Sequence, residues 1–219
     1  MREIKNIIFD LGGVLLPIDY DATPQAFLEL GVPDFHTLYA QHRQNELFDA
    51  YETGEISEDD FFSELRTIVG AYSNAELLKC WNAMLGELPD AVPELLQNCR
   101  NHYSIYLLSN TNHSHIEAFL LSLKHNFKDL DFDAFFDRTY YSYKIGLRKP
   151  ETEVFDYVIQ DAGLQPNETL FIEDTLKNVE GARQAGIPTI FLDIKNGMRT
   201  MDLFDDRGKL KQGCLEIIQ

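Results

Sequence analysis

The chain is short of cations, cysteines and long apolar runs, and each shortage excludes a class of protein. Nineteen lysines and arginines stand against 36 aspartates and glutamates, a formal net charge of −17. Such a surface repels phosphate backbones, so nucleic acid is not an expected partner. An anionic small substrate remains admissible if the site supplies its own cations, a divalent ion or a placed lysine. The three cysteines, Cys80, Cys99 and Cys214, are too few and too widely spaced for a disulfide framework or a zinc motif. They suit a reducing compartment. No apolar run approaches the roughly 20 residues of a membrane span, so no membrane partner is expected. No charged-then-apolar leader precedes the first strand, which makes a cytoplasmic location the expectation. No G-x-G-x-x-G follows that strand either, which argues against dinucleotide binding.

What is present is organised around residues 5–16. Ile7, Ile8 and Phe9 form an apolar run of the kind found in the buried strands of parallel sheets. Asp10 follows where the strand should end, and in open α/β sheets ligands bind beyond the carboxyl ends of strands. Gly12 and Gly13 permit a sharp turn and close approach to a ligand. From about Thr23 to Leu88 apolar residues recur at helical spacing, with Ser57 and Ser73 opening helices. Beyond Pro89 the pattern alternates. Residues 103–108 read as a strand ending in Ser109 and Asn110, and residues 135–141 as a short strand. Pro150 reads as the first residue of a helix. Residues 169–172 form a strand ending in Glu173 and Asp174, and residues 187–192 a last strand. Met201, Leu203 and Phe204 could begin a helix, and 214–218 a strand or helix end. This order implies an α/β fold, a doubly wound parallel sheet with an all-helical insert after the first strand. The expected division is a core of residues 1–18 and 89–219 and a helical cap of residues 19–88.

Strand ends of a parallel sheet converge on one edge, so Asp10, Ser109 with Asn110, Lys149, and Glu173 with Asp174 can meet there. Asp10 and Asp174 could hold Mg²⁺, which takes one or two carboxylates together with water and substrate phosphate. Ser109 and Lys149 could stabilise the oxygens of a transferring phosphoryl group.

In its motifs the chain resembles the haloacid dehalogenase superfamily. The first is Phe9-Asp10-Leu11-Gly12-Gly13-Val14, the second Leu107-Leu108-Ser109-Asn110-Thr111. The third is Arg148-Lys149-Pro150-Glu151, the fourth Phe171-Ile172-Glu173-Asp174-Thr175 with Asn178 and Gly181-Ala182. The insert matches in position that family's four-helix cap, and residues 51–57 resemble the cap of its sugar-phosphate phosphatases. The resemblance implies a Rossmann-like core and a Mg²⁺-dependent phosphatase acting on a phosphorylated small metabolite. It implies Asp10 as nucleophile, forming an aspartyl-phosphate, with Ser109 and Lys149 as catalytic partners. Ser109, Asn110 and Lys149 would bind phosphate. Asp10, the Gly12 carbonyl, Asp174 and Glu173, directly or through water, would hold the metal.

One position departs from the family's phosphatase pattern. A second aspartate, acid and then base, is expected two residues after the nucleophile, where this chain has Gly12. General acid–base catalysis contributes about 10²–10⁴-fold, so its loss lowers the rate without abolishing activity. Asp19 is a candidate replacement, with a solvated linker residue as its plainer reading. Gly12 also keeps open an alternative, a catalytically weak or silent binding or regulatory protein on the same fold. Haloacid dehalogenation is a weaker reading, since that chemistry needs no metal and members with it carry tyrosine at the Gly12 position.

Overall fold

The computed structural model describes residues 3–33, 35–38, 46–128 and 130–215. The helical expectation for residues 39–45 and the tail expectation for 216–218 lie outside the described residues. Five strands, β1 (Asn6–Phe9), β2 (Ser104–Ser109), β3 (Arg138–Tyr141), β4 (Thr169–Glu173) and β5 (Thr189–Phe191), form one sheet in the order β3-β2-β1-β4-β5. All four pairings are parallel. Between β1 and β2 the described residues form six α-helices: α1 (Ala22–Leu30), α2 (Phe35–Leu38), α3 (Glu46–Glu52), α4 (Glu58–Val69), α5 (Asn74–Trp81) and α6 (Ala91–Cys99), the first five in the insert. Five more follow among the described residues: α7 (His113–Asn126), α8 (Ser142–Ile145), α9 (Thr152–Ala162), α10 (Leu176–Gln184) and α11 (Gln212–Leu215).

The run Ile7-Ile8-Phe9 is fully buried because its alternate side chains serve two layers. Ile7 and Phe9 join Ile105, Leu107, Leu170 and Ile172 under α6 and α7. Ile8 joins Leu108 and Phe171 under Val154, Phe155 and Val158 of α9. Each such side chain is worth about 1.5–3 kcal/mol relative to exposure, which pins the strand that carries Asp10. The helical insert has a separate core. There Phe48 stacks on Trp81 at 5.4 Å and Tyr51 on Phe61 at 4.2 Å. Ser73 and Glu76 complete a capping box at α5, and Ser57 caps α4 through the Asp60 amide. The two linkers to the insert run side by side, with Gly86 N–H donating to Pro17 O and Asp19 N–H to Met84 O, both at 2.9 Å.

Three details differ from the sequence reading. The strand expected over 135–141 begins at Arg138, after a 3₁₀ turn at Asp133–Phe135. Pro150 does not start a helix: the Lys149–Pro150 bond is cis and α9 begins at Thr152. Residues 200–203 form a 3₁₀ turn. No described helix is long and apolar enough to cross a membrane.

Candidate active site

Strand order reverses at β1, so the crevice between β1 and β4 is the switch point at which doubly wound folds bind ligands. Phe9 pairs in register with Ile172, which sets Asp10 beside Glu173. Lys149 arrives from the loop before α9 and is buried to 1% exposure. Its ammonium donates to Asp10 Oδ1 at 2.8 Å, Glu173 Oε2 at 2.7 Å and the Leu108 carbonyl at 3.1 Å. Burial alone would pull its pKa down, but Asp10 and Glu173 outweigh that and raise it, so Lys149 stays charged. One oxygen from each of Asp10, Glu173 and Asp174 lies within 4.8 Å of the others. Three carboxylates therefore face one ammonium. Burial first, then Glu173, raises Asp10 well above the ordinary carboxylate range, against the pull of Lys149. Asp174 is pushed up to about 7, by burial and then Glu173. This surplus of hard, acidic oxygen donors fits a divalent cation.

Two of the expected residues also hold Lys149 in place. The Asn110 side chain accepts from Lys149 N–H at 2.9 Å and donates to Lys149 O at 2.8 Å, which clamps the lysine's backbone. Lys149 and Asn178 donate to Glu173 Oε2, and the Asp174 and Thr175 amides to its Oε1, so Glu173 orients Lys149 while standing in the carboxylate cluster. Asp19 is exposed and accepts from Asp21 N–H at 3.0 Å, a turn contact away from the cavity.

Gly13 has φ +74°, and a Cβ there would fall 2.1 Å from an Asp174 oxygen, so only glycine allows that carboxylate to close on the loop. Gly12 lies outside the left-handed region, and a Cβ on it would meet only Ile18. Asp10, Gly12, Ser109, Asn110 and Lys149 line a cavity of about 430 Å³. Ser109 Oγ has no protein partner among the described residues. Sequence reasoning missed the residues that close this cavity from the insert. Asp49 and Glu52 of α3 and Tyr20 line it, and Arg148 pairs with both carboxylates. Glu52 falls in the 51–57 stretch that the resemblance singled out, but nothing there assigned it to the cavity, and for Asp49 the helical periodicity marks only the buried face of α3. His115, also lining the cavity, donates Nε2–H to Trp81 O at 3.2 Å, and its Nδ1 accepts from Asn112 at 3.1 Å. Burial lowers its pKa to about 4, so it is neutral.

A doubly wound α/β protein with a lysine set among three carboxylates at its switch point belongs to a recognisable class of hydrolases. The sequence profile of the haloacid dehalogenase-like hydrolases matches residues 4–186, and the chain belongs to that family. It is 34% identical over 187 residues to D-ribitol-5-phosphate phosphatase of Bacteroides thetaiotaomicron, spanning 85% of this chain and 90% of that one. The structure of a haloacid dehalogenase family enzyme from the same organism, an aspartate-to-alanine variant in complex with magnesium and inorganic phosphate, superposes with a TM-score of 0.84. It is 31% identical, covering 92% of this chain and 99% of the other. A Porphyromonas gingivalis structure, described as a predicted haloacid dehalogenase-like hydrolase, gives a TM-score of 0.79 at 30% identity over 92% and 96%.

Proposed function

We propose that this hydrolase is a Mg²⁺-dependent phosphatase acting on a small phosphomonoester of the sugar-phosphate or polyol-phosphate kind. The observation that carries the reading is the Lys149 ammonium held between Asp10 and Glu173, with Asp174 at the same sheet edge. The similar magnesium- and phosphate-bound enzyme and the similar polyol-phosphate phosphatase support it.

Lys149 and the Leu11 amide both donate to Asp10 Oδ1, which leaves Oδ2 for attack on phosphorus. The new P–O bond forms as the ester P–O bond breaks, and the leaving alkoxide takes its proton from water because Gly12 has none to give. Ser109 donates to the phosphoryl oxygens as charge develops there, and the positive charge of Lys149, whose three N–H groups stay on Asp10, Glu173 and the Leu108 carbonyl, attracts them electrostatically. Water then attacks the aspartyl-phosphate at phosphorus, releases inorganic phosphate and restores Asp10. Asp10, Asp174 and the Gly12 carbonyl would hold the Mg²⁺, which supplies charge neutralisation at the phosphoryl group. Residues 19–88 act as the cap over a core of 1–18 and 89–219, and a cytoplasmic location suits three unpaired cysteines. The silent-protein alternative rests on Gly12 alone and has no second observation behind it.

Phosphate release from sugar phosphates, polyol phosphates, nucleotides and p-nitrophenyl phosphate, with Mg²⁺ or with EDTA, tests the reading. Mg²⁺-dependent turnover that Asp10→Asn abolishes is expected. Turnover unaffected by EDTA or by that substitution would overturn it.

A further inference from the structure

Resting on the phosphatase reading, we propose that Ser142 is a positioning residue of the site. Its buried hydroxyl fixes the turn at residues 109–111, and so aims Ser109 at the phosphoryl group.

Ser109 is the last residue of β2 and pairs in register with Tyr141, the last residue of β3. Beyond that rung the two chains part. β3 passes directly into α8 at Ser142, while the chain after β2 runs on through Asn110 and Thr111 along the cavity wall. The backbone of β3 therefore stops serving its neighbour where the substrate-facing turn begins, and the Ser142 side chain takes over. Thr111 N–H donates to Ser142 Oγ at 2.9 Å, and the Ser142 hydroxyl donates to Thr111 O, also at 2.9 Å. Ser142 is 1% exposed and Thr111 6%, so water does not compete for either bond. One hydroxyl adds a rung to the ladder after the strand has ended.

A second reciprocal pair lies beside it, where the Asn110 side chain holds Lys149 N–H and Lys149 O. Together the two pairs tie residues 109–111 to both ends of the segment 142–149. In the proposed mechanism Ser109 donates to the phosphoryl oxygens and Lys149 attracts them, yet the two come from separate elements. Lys149 keeps its own ties to Asp10, Glu173 and the Leu108 carbonyl. Ser109 Oγ has no protein partner among the described residues, so its aim follows from the backbone that carries it. Without the Ser142 hydroxyl, two shielded backbone groups of Thr111 lose their partner, and the turn regains one only by shifting. A displacement of about 1 Å in a reacting geometry can cost about 10²-fold in rate.

A double-mutant cycle of Ser142→Ala with Ser109→Ala tests the role, read as kcat and KM for p-nitrophenyl phosphate with Mg²⁺. Ser109→Ala alone should lose about 10²–10³-fold, as for the loss of one donor to developing charge, and stay measurable on this activated aryl ester. Ser142→Ala alone is expected to lower kcat/KM by about 10–100-fold, mainly through kcat, because the Ser109 contact is realised in the transition state. In the Ser109→Ala background the same substitution should cost no more than about twofold, since no hydroxyl is left to misplace. Ser142→Cys keeps a weaker donor and acceptor in nearly the same shape, and should fall between wild type and Ser142→Ala. If Ser142→Ala does not fold, the cycle is run with Ser142→Cys, whose loss should likewise vanish beside Ser109→Ala.

Equal losses in both backgrounds would mean that Ser142 serves only the fold. That result, or full activity in Ser142→Ala, would overturn the positioning role while leaving the phosphatase reading intact. A wild type inert on all phosphate esters would overturn both.

Discussion

The sheet edge and the seam between core and insert are both built from charged pairs, but they differ in burial and in what they join. At the sheet edge Lys149 and Glu173 are 1% and 0% exposed, and they meet where the sheet is packed on both faces. At the seam Arg148 reaches Asp49 and Glu52, while Glu58 pairs with His113 and accepts from the Ser114 hydroxyl. Apart from the buried Ser114, those groups are half-buried or exposed, and they bridge two separate hydrophobic cores. Desolvation makes the first set costly to disturb, and solvent makes the second inexpensive. The difference separates a fixed chemical centre from an adjustable wall that can change without unfolding the sheet.

The comparison breaks if matched charge removals cost the same in both places. Lys149→Met leaves buried carboxylates without their cation, and is expected to destabilise the fold by about 3–5 kcal/mol and to abolish turnover. Arg148→Met, at a pair only partly shielded from solvent, should cost less, about 1–3 kcal/mol. Urea denaturation of the two variants checks this, and equal losses would contradict it.

Gly12→Asp probes the chemical centre from the other side. Gly12 has no left-handed conformation to forbid a side chain, and only Ile18 must shift. The new carboxyl is expected to raise single-turnover rates on alkyl phosphates by up to about 10²–10⁴-fold, and on aryl phosphates by less. A flat leaving-group dependence in the wild type would mean that another residue already delivers the proton.

Removal of the metal sharpens the contrast further. Without a cation, an ionised Asp174 opposes folding, because its folded pKa of about 7 lies above its unfolded value. Between those values the native state binds more protons, so metal-free stability should fall as pH rises through about 7. Asp174→Asn should therefore raise metal-free stability at pH 8, by about 3 kcal/mol or less, while removing Mg²⁺-dependent activity. Thermal unfolding in EDTA at pH 5 and pH 8 reads both effects.

At the seam, His115 stacks on Trp81 and stays neutral in the fold, with a pKa of about 4. Its depressed value means that the unfolded chain takes up the proton first. Stability from this group is therefore present above roughly pH 6.5 and lost as pH falls toward about 4, by about 3 kcal/mol. His115→Gln should flatten that part of the pH–stability curve.

The two regions also differed in how far the sequence foretold them. Ile7-Ile8-Phe9 announced a strand buried on both faces, and strand ends carry site residues wherever sheets are parallel. Asp10, Ser109 and Asp174 were legible for that reason, and Lys149 from its motif before a helix. Asn110 and Glu173 were recognised as site residues, but spacing did not reveal that an amide and a carboxylate also spend hydrogen bonds on Lys149. Arg148 stood in a recognised motif, yet its partners Asp49 and Glu52 lie on a helix whose periodicity reports only Phe48 and Tyr51 as core. Pro150 misled because a proline after a turn signals a helix start, while here the cis bond delays the helix to Thr152.

The central claim is that Asp10 takes the phosphoryl group at a centre lacking a carboxylate at position 12. Acid quenching of the enzyme during turnover of a pentitol phosphate with Mg²⁺, followed by mass spectrometry of the peptide spanning residues 6–16, tests it most directly. Phosphoryl on Asp10 is expected, accumulating because hydrolysis of the intermediate lacks its usual base, and falling when Gly12→Asp supplies one. Steady turnover with no covalent phosphoryl group, or with the group on another residue, would contradict the account.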